Sequence, residues 1–421
     1  MLHPKLPNRW LIALGAVAIQ ICCGSLYSWS VFVKPLTASQ PWTLVQVSAA
    51  FQIALAFIGI GAMLGGLWQD RVGPRFVITV GGVLYGLGFL ISAFSTEQHS
   101  LAGLYAGYGL ISGIGIGMAY ICPVAAIVKW FPDRRGLMIG ATVMGYGAGA
   151  VFMGPIAARL IIHSGVPATF RVFSLIFFAI VVGAGQLMSN PPHGWCPEGW
   201  EPRTVVTKMA SRIDYTVKQA IRSWRFWLLW MLLVINTSAG IMIISQASPL
   251  AQQQVGMTVI EASGVVAAIS IFNALGRIVW AWTSDRVGRA QVYFVLFAIQ
   301  VCVFFTLPHL HAALPFEIAV CTIALCYGGG FSVLPILAAD FFGPRYMGGI
   351  YGWITMATWV VAAIPSPLLI AHVREVTGTY DNAITVIGFV MLAALPLPLL
   401  AARAARRMAV EQSGVRQLKA S

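Results

Sequence analysis

The sequence predicts an all-α membrane protein of twelve transmembrane helices arranged as two pseudo-symmetric six-helix bundles, and three observations carry that prediction. Of the 421 residues, 58% are hydrophobic and only 9% charged, with a mean hydropathy of +0.82, far outside the range of soluble domains. Apolar runs of the roughly 20 residues needed to cross a bilayer recur from Trp10 to the C-terminus. The two halves of the chain also repeat each other's loop motifs at a constant offset.

In chain order the spans fall at 10–36, 47–68, 76–95, 101–129, 137–162 and 168–189, then at 225–254, 259–282, 290–311, 314–339, 349–372 and 381–402. The first begins right after Lys5 and Arg9 and runs on to Val33, too long for a cleaved signal peptide and without a small-residue cleavage site. In the fourth, Gly109, Gly113 and Gly117 recur every four residues and read as a close-packing face, as do Gly61, Gly65 and Gly66 in the second. The one long connection opens with "NPPHGWCPEGWEPR", too rich in proline and glycine for a strand or helix, and then becomes basic. The expected organisation is therefore an N-terminal bundle at 1–189, a cytoplasmic linker at 190–224, and a C-terminal bundle with a cytoplasmic tail at 225–421.

Lysine and arginine set the orientation. With the N-terminus inside, 21 of the 26 basic residues fall on the cytoplasmic side, leaving Lys34, Arg159, Arg171, Arg277 and Arg374. Both termini are expected to be cytoplasmic, in a bacterial inner membrane. The net charge of +13 does not point to nucleic acid, because the basic residues lie in short loops rather than on one face. The seven cysteines have no metal-like spacing and read mostly as small core residues. His163, His309, His311 and His372 sit near outer helix ends and read as interfacial, with His372 a candidate proton relay. No metal or cofactor is expected. There is neither an "HExxH" nor a serine and histidine pairing within the spans, so an enzyme is not expected either.

The internal repeat is carried by two motif pairs. "DRVGPR" (Asp70 to Arg75) lies between spans two and three, and "DRVGR" (Asp285 to Arg289) lies between spans eight and nine, 215 residues later. "WFPDRRG" (Trp130 to Gly136) follows span four, and "FFGPRYMG" (Phe341 to Gly348) follows span ten at nearly the same offset. Parallel six-helix halves with a site near the midplane are a transporter architecture.

One residue breaks the apolar pattern. In "SIFNALGRIVW", Ser270 to Trp280, Arg277 stands inside an apolar run that extends from Val255 to Trp282. A guanidinium keeps its proton, so burial is not relieved by neutralisation. By these spans each of the thirteen acidic residues falls in a loop, a tail or a helix end, and no midspan carboxylate is expected beside it. An anionic ligand then supplies the charge, and a carboxylate fits the guanidinium fork. A single buried cation best balances a single negative charge, which points to a monocarboxylate. Asn273, four residues earlier, shares the helical face of Arg277 and is placed to hydrogen-bond the ligand. The competing reading is an arginine about six residues, roughly 9 Å, from the inner end of its span, snorkelling toward Asp285 or the headgroups.

Gly66, Asp70, Arg71, Gly73 and Arg75, with the copy at Asp285, Arg286, Gly288 and Arg289, resemble the loop motif of the major facilitator superfamily. "LYSWSVF" in span one, the "PPHGW" linker and "RFWLLW" opening span seven resemble the oxalate/formate antiporter family and its relatives, the monocarboxylate transporters. The similarity covers essentially the whole chain and implies the major facilitator fold. It adds substrate-binding roles for Tyr120 and Tyr327 to those read for Arg277 and Asn273, with Phe331 as wall or gate. Aligning the repeats places Phe331 opposite Tyr120, and Tyr27 with Trp29 in span one are placed to line the outer vestibule; plain packing is the alternative for each of these aromatics. Asp70, Arg71, Arg75, Asp285, Arg286 and Arg289 are implied as a cytoplasmic gate. In related oxalate exchangers a span-eleven lysine complements the dianion, and here "YGWITMAT" puts Met356 in that place, which disfavours a dicarboxylate. In the animal carriers the position of Asn273 resembles an aspartate implicated in proton coupling, so the proton carrier here is left open. The expectation is a proton-coupled symporter of a lactate- or pyruvate-like monocarboxylate working by rocking of its halves. A carboxylate exchanger, or a carrier of another small organic anion, is the alternative.

Overall fold

The computed structural model describes residues 7–192, 195–197, 199–200, 214–363, 365–366, 373, 376–377 and 380–405. Among them there are helices and turns and no strand, and the chain divides into two compact units, Met1–Trp200 and Glu201–Ser421. Lys5, His193, Glu198, Arg203, His372 and Arg374, all weighed in the sequence, lie outside the described residues.

The first unit is built from α1 (Arg9–Ser39), α2 (Leu44–Val72), α3 (Pro74–Glu97), α4 (Leu101–Trp130) and α5 (Arg135–Gly185), each long and apolar enough to cross a membrane. Sequence analysis expects separate fifth and sixth spans. Arg135–Gly185 likewise holds two helices, parted at a kink at Gly165, where φ is 78° and ψ 173°. Pro167 follows two residues later and lacks the N–H that would mend the break. The α1 helix is not continuous either, since it tightens to a 3-10 turn at Ser25–Ser28. Tyr85 of α3 braces that turn, its hydroxyl donating to the Cys22 carbonyl at 2.8 Å and lying 2.6 Å from Ser25 Oγ.

The second unit begins with a short helix, α6 (Val217–Arg222), inside the stretch the sequence presents only as linker. Thr216 and Gln219 form a capping box that starts it. Then come α7 (Trp224–Val255), α8 (Val259–Val287), α9 (Arg289–His309), α10 (Ala313–Phe342), α11 (Met347–Thr358, followed by a π-helical turn at Trp359–Ala363) and α12 (Asp381–Ala405). A second capping box, Thr258 with Glu261, starts α8.

The repeat seen in the loop motifs recurs in the backbone. Gly73 (φ 88°) ends α2 and Gly288 (φ 108°) ends α8, each also capping the helix that follows. Both hold a backbone conformation that glycine alone adopts without strain. Packing repeats too: α2 lies against α4 as α8 lies against α10, and α3 lies against α5 as α9 lies against α12. Small residues make these contacts close. A Cβ on Gly117 of α4 would lie 2.2 Å from the Ile58 carbonyl of α2, and one on Gly276 of α8 would lie 2.0 Å from the Leu325 carbonyl of α10. Helices in lipid associate through such close packing, since no hydrophobic drive separates helix from tail.

Candidate functional site

The seam between α8 and α10 sets the position of Arg277. Gly276 admits the Leu325 carbonyl, Gly328 leaves 2.1 Å between its missing Cβ and the Asn273 carbonyl, and Gly329 makes room for the Trp280 indole. With backbones this close, Arg277 is only 1% exposed. It is covered by protein, whereas a side chain reaching for headgroups would lie open on the surface. The α8 helix continues to Val287, ten residues or about 15 Å along the axis beyond Arg277.

Its Nε donates to Asn273 Oδ1 at 3.3 Å, the contact expected for residues four apart on one helical face. The guanidinium carbon lies 5.8 Å from the centroid of the Phe331 ring, within range of a cation–π attraction of about 0.5–2 kcal/mol. Phe331 meets the Tyr327 ring edge-on at 5.2 Å and the Trp359 ring at 6.0 Å, tilted by 41°. Four of the predicted binding residues, Arg277, Asn273, Tyr327 and Phe331, are therefore brought together inside the second unit.

The α10 stretch that carries Tyr327 and Phe331 is held by polar groups from three other helices. Asn236 of α7 donates to the Tyr327 carbonyl at 3.1 Å and accepts from Gln300 of α9 at 3.3 Å. Tyr293 donates its hydroxyl to the Gly330 carbonyl at 2.7 Å. Pro335 has no N–H to give to the Phe331 carbonyl four residues back, and the Tyr351 hydroxyl of α11 donates to that carbonyl at 3.5 Å. These buried braces went unseen in the sequence, because a lone Asn or Gln in an apolar run carries no spacing signal. The indole N–H groups of Trp280 and Trp359 are buried and have no hydrogen-bond partner among the described residues.

The other two predicted binding residues, Tyr120 and Tyr27, belong to the first unit. Both meet Tyr146 of α5 edge-on, at 5.3 Å and 5.5 Å, so Tyr146 joins the cluster as a residue the sequence did not single out. Its only signal was the flanking glycines in "MGYGAG". Gln20 of α1 donates to the Tyr120 carbonyl at 3.0 Å, a buried amide on an aromatic residue's carbonyl as Asn236 is on Tyr327. Trp29 packs face-on against Tyr108 at 4.0 Å.

Of the predicted gate residues, Arg289 joins three helices. It reaches Asp285 at 2.8 Å, Asp340 at 3.5 Å and the Ser284 carbonyl at 2.5 Å, tying the C-terminal ends of α8 and α10 to the start of α9. Arg286 lies over the Trp282 ring at 3.5 Å. Asp70 accepts weakly from Gln69 at 3.4 Å, and Arg71 and Arg75 are exposed. The described acidic residues stand where the sequence puts them, at helix ends and in loops, with Asp70 closing α2, Glu97 closing α3, Asp340 closing α10 and Asp381 opening α12. His163, His309 and His311 are exposed, as is Lys34. Among the described residues, no group of three His, Cys, Asp or Glu side chains is placed to hold a metal.

Long apolar helices in two repeated units, with a charged side chain buried in a helix seam, define a polytopic membrane carrier rather than a soluble catalyst. The chain belongs to the major facilitator superfamily, whose family model matches residues 15–367, and is a transporter, not an enzyme. It is 28% identical over 363 residues to an oxalate:formate antiporter of Oxalobacter formigenes, covering 84% of this chain and 82% of that one. It is 26% identical to apicoplast pyruvate carrier 1 of Toxoplasma gondii, over 90% and 87% of the two chains. Among solved structures, the human organic anion transporter MFSD10 superposes with a TM-score of 0.73 at 15% identity, covering 93% of this chain and all of that one (100%); at this identity the likeness concerns the fold.

Proposed function

We propose that the chain is a secondary active transporter of a small monocarboxylate of the lactate or pyruvate kind, acting by alternating access. The observation that carries this reading is the buried Arg277 guanidinium, hydrogen-bonded to Asn273 and set against the Phe331 ring. A guanidinium stays charged at any working pH, and its planar fork matches a carboxylate in a two-point pair. Asn273 orients Nε, and the aromatic wall from Tyr327 and Phe331 gives the small carbon skeleton an apolar surface. The names of two relatives, an oxalate:formate antiporter and a pyruvate carrier, support a small organic anion as the class. Met356, where related oxalate exchangers are expected to carry a lysine, favours one negative charge over two.

Proton symport is the coupling mode favoured by the resemblance to monocarboxylate carriers, because a co-transported proton makes anion uptake electroneutral. The distribution of basic residues supports an orientation with both termini cytoplasmic, and residence in a bacterial inner membrane is part of the same proposal. The test is uptake of labelled lactate and pyruvate into proteoliposomes under an imposed pH gradient, inside alkaline. Accumulation that follows the gradient supports symport. Uptake that ignores the gradient and needs a counter-anion makes the protein an exchanger, and failure to take up either acid overturns the substrate class.

A further inference from the structure

Trp359 carries a buried polar atom that the fold leaves unused. The residue is 2% exposed, and its indole N–H has no hydrogen-bond partner among the described residues. Buried donors are nearly always paired, and an unpaired one costs about 1–3 kcal/mol, so each exception asks for a cause. Trp359 also opens the π-helical turn Trp359–Ala363, where α11 widens, a distortion that is rare and concentrates at functional positions.

Its neighbours supply the cause. The ring against which Trp359 packs is Phe331, at 6.0 Å between centroids, and Phe331 is also the ring beside which the Arg277 guanidinium lies, at 5.8 Å. One phenyl ring thus has a fixed cation near it and an idle neutral donor near it. Its backbone carbonyl accepts from the Tyr351 hydroxyl at 3.5 Å. An indole N–H donates and cannot accept, so the atom it waits for is an acceptor. In a ligand whose two carboxylate oxygens lie on the guanidinium fork, the remaining acceptor is an oxygen on the adjacent carbon.

We propose that Trp359 is a specificity-determining residue whose N–H donates to the 2-oxo or 2-hydroxyl oxygen of the carboxylate held by Arg277. The inference rests on the substrate reading above and deepens it, by naming the side chain that would tell a lactate- or pyruvate-like acid from a plain alkanoate. A plain alkanoate such as propionate has the same charge and nearly the same size. It leaves the N–H unpaired in the complex, and a site built around a hydrogen bond discriminates strongly against a ligand lacking it.

The test is equilibrium binding of pyruvate, lactate and propionate to the purified full-length protein, by titration calorimetry, for wild type, Trp359→Phe and Arg277→Gln. Phenylalanine keeps a ring and removes the donor. Wild type is expected to bind pyruvate and lactate about tenfold tighter than propionate, and Trp359→Phe to bring that ratio close to one. A wild-type protein with no such preference overturns the proposal without recourse to any variant. So does a Trp359→Phe protein that keeps the wild-type ratio while Arg277→Gln loses all three acids, and in that case the reading of Arg277 stands. If Arg277→Gln binds all three undiminished, the substrate reading itself fails and this proposal goes with it.

Discussion

The side-chain amide of Asn236 in α7 donates to the backbone carbonyl of Tyr327 in α10 at 3.1 Å, inside a membrane-spanning bundle where water is scarce. Gly330 makes the approach possible, since a Cβ there would lie 2.3 Å from Asn236 Nδ2. On the far side, Gln300 of α9 donates to Asn236 Oδ1 at 3.3 Å. Three helices are thus joined through one amide, and the joint falls at the residues that carry the aromatic wall beside Arg277. In the first unit Gln20 makes a bond of the same kind to the Tyr120 carbonyl. Each half has one buried amide braced against the aromatic segment of its most buried helix.

Asn236→Leu keeps the number and branching of the side-chain heavy atoms and removes both bonds. It leaves the Gln300 amide with its donor unpaired as well as its acceptor, which already lacks a partner. The expected cost is about 1–3 kcal/mol, seen as a lowered thermal midpoint in detergent. The double variant Asn236→Leu with Gln300→Leu is expected to be less damaged than the sum of the singles, because the orphaned partner is gone. Strict additivity of the two would show that the amides do not act as one joint.

Arg277→Lys tests shape against charge. Lysine keeps the positive charge but offers a point donor in place of a planar fork, and it lacks the Nε that donates to Asn273. Carboxylate affinity is expected to fall about tenfold or more in Arg277→Lys and about 100-fold in Arg277→Gln, each charge-assisted bond contributing roughly 1.5–3 kcal/mol. Both proteins should elute as the wild type does on size exclusion. Equal affinity of the lysine variant and wild type would mean that the fork is not engaged.

Much of this arrangement was legible in the sequence, for identifiable reasons. The helical period alone puts Asn273 and Arg277 on one face, and the same period puts Tyr327 and Phe331 on one face of α10. The twin glycines Gly73 and Gly288 mark the same backbone turn twice. What stayed hidden depends on contacts between distant helices. Trp359 is one tryptophan among 14 in an apolar chain, and only the packing tells that its N–H is idle. Tyr146 acquires meaning only when α5 brings it between Tyr27 and Tyr120. The 3-10 turn in α1 has no proline to announce it, being braced instead by Tyr85 from another helix. In the linker, the capping box of Thr216 and Gln219 was present in the letters but overshadowed by the proline-rich run before it.

Arg289→Gln separates the gate from the scaffold. The guanidinium holds Asp285 and Asp340 at the C-terminal ends of α8 and α10, where all three side chains are partly exposed. Pairs of this kind contribute about 0–1 kcal/mol each to stability, so the thermal midpoint should move little. If these charges link helices in one state and release them in another, the maximal transport rate should change several-fold while the half-saturating concentration stays near the wild-type value. An unaltered rate in proteoliposomes would reduce Arg289 to an ordinary solvated loop charge.

The glycine seam between α8 and α10 gives the most direct check on how the site is positioned. A Cβ on Gly328 would stand 2.1 Å from the Asn273 carbonyl oxygen and 2.8 Å from its Oδ1. Both are far inside van der Waals contact, and one of the obstructing atoms is backbone. Gly328→Ala must therefore push the two helices apart at the turn that presents Asn273 to Arg277, at an expected cost of about 1–3 kcal/mol of strain. Gly264 lies in the same α8 helix with nothing within 4 Å of its missing Cβ. Its alanine variant should be neutral or slightly stabilising, since alanine is the better helix former by up to about 1 kcal/mol. The pair is compared by thermal unfolding and by pyruvate binding. Gly328→Ala is expected to lose on both measures and Gly264→Ala on neither. Should the two variants behave alike, close approach of α8 and α10 is not what holds Asn273 against Arg277.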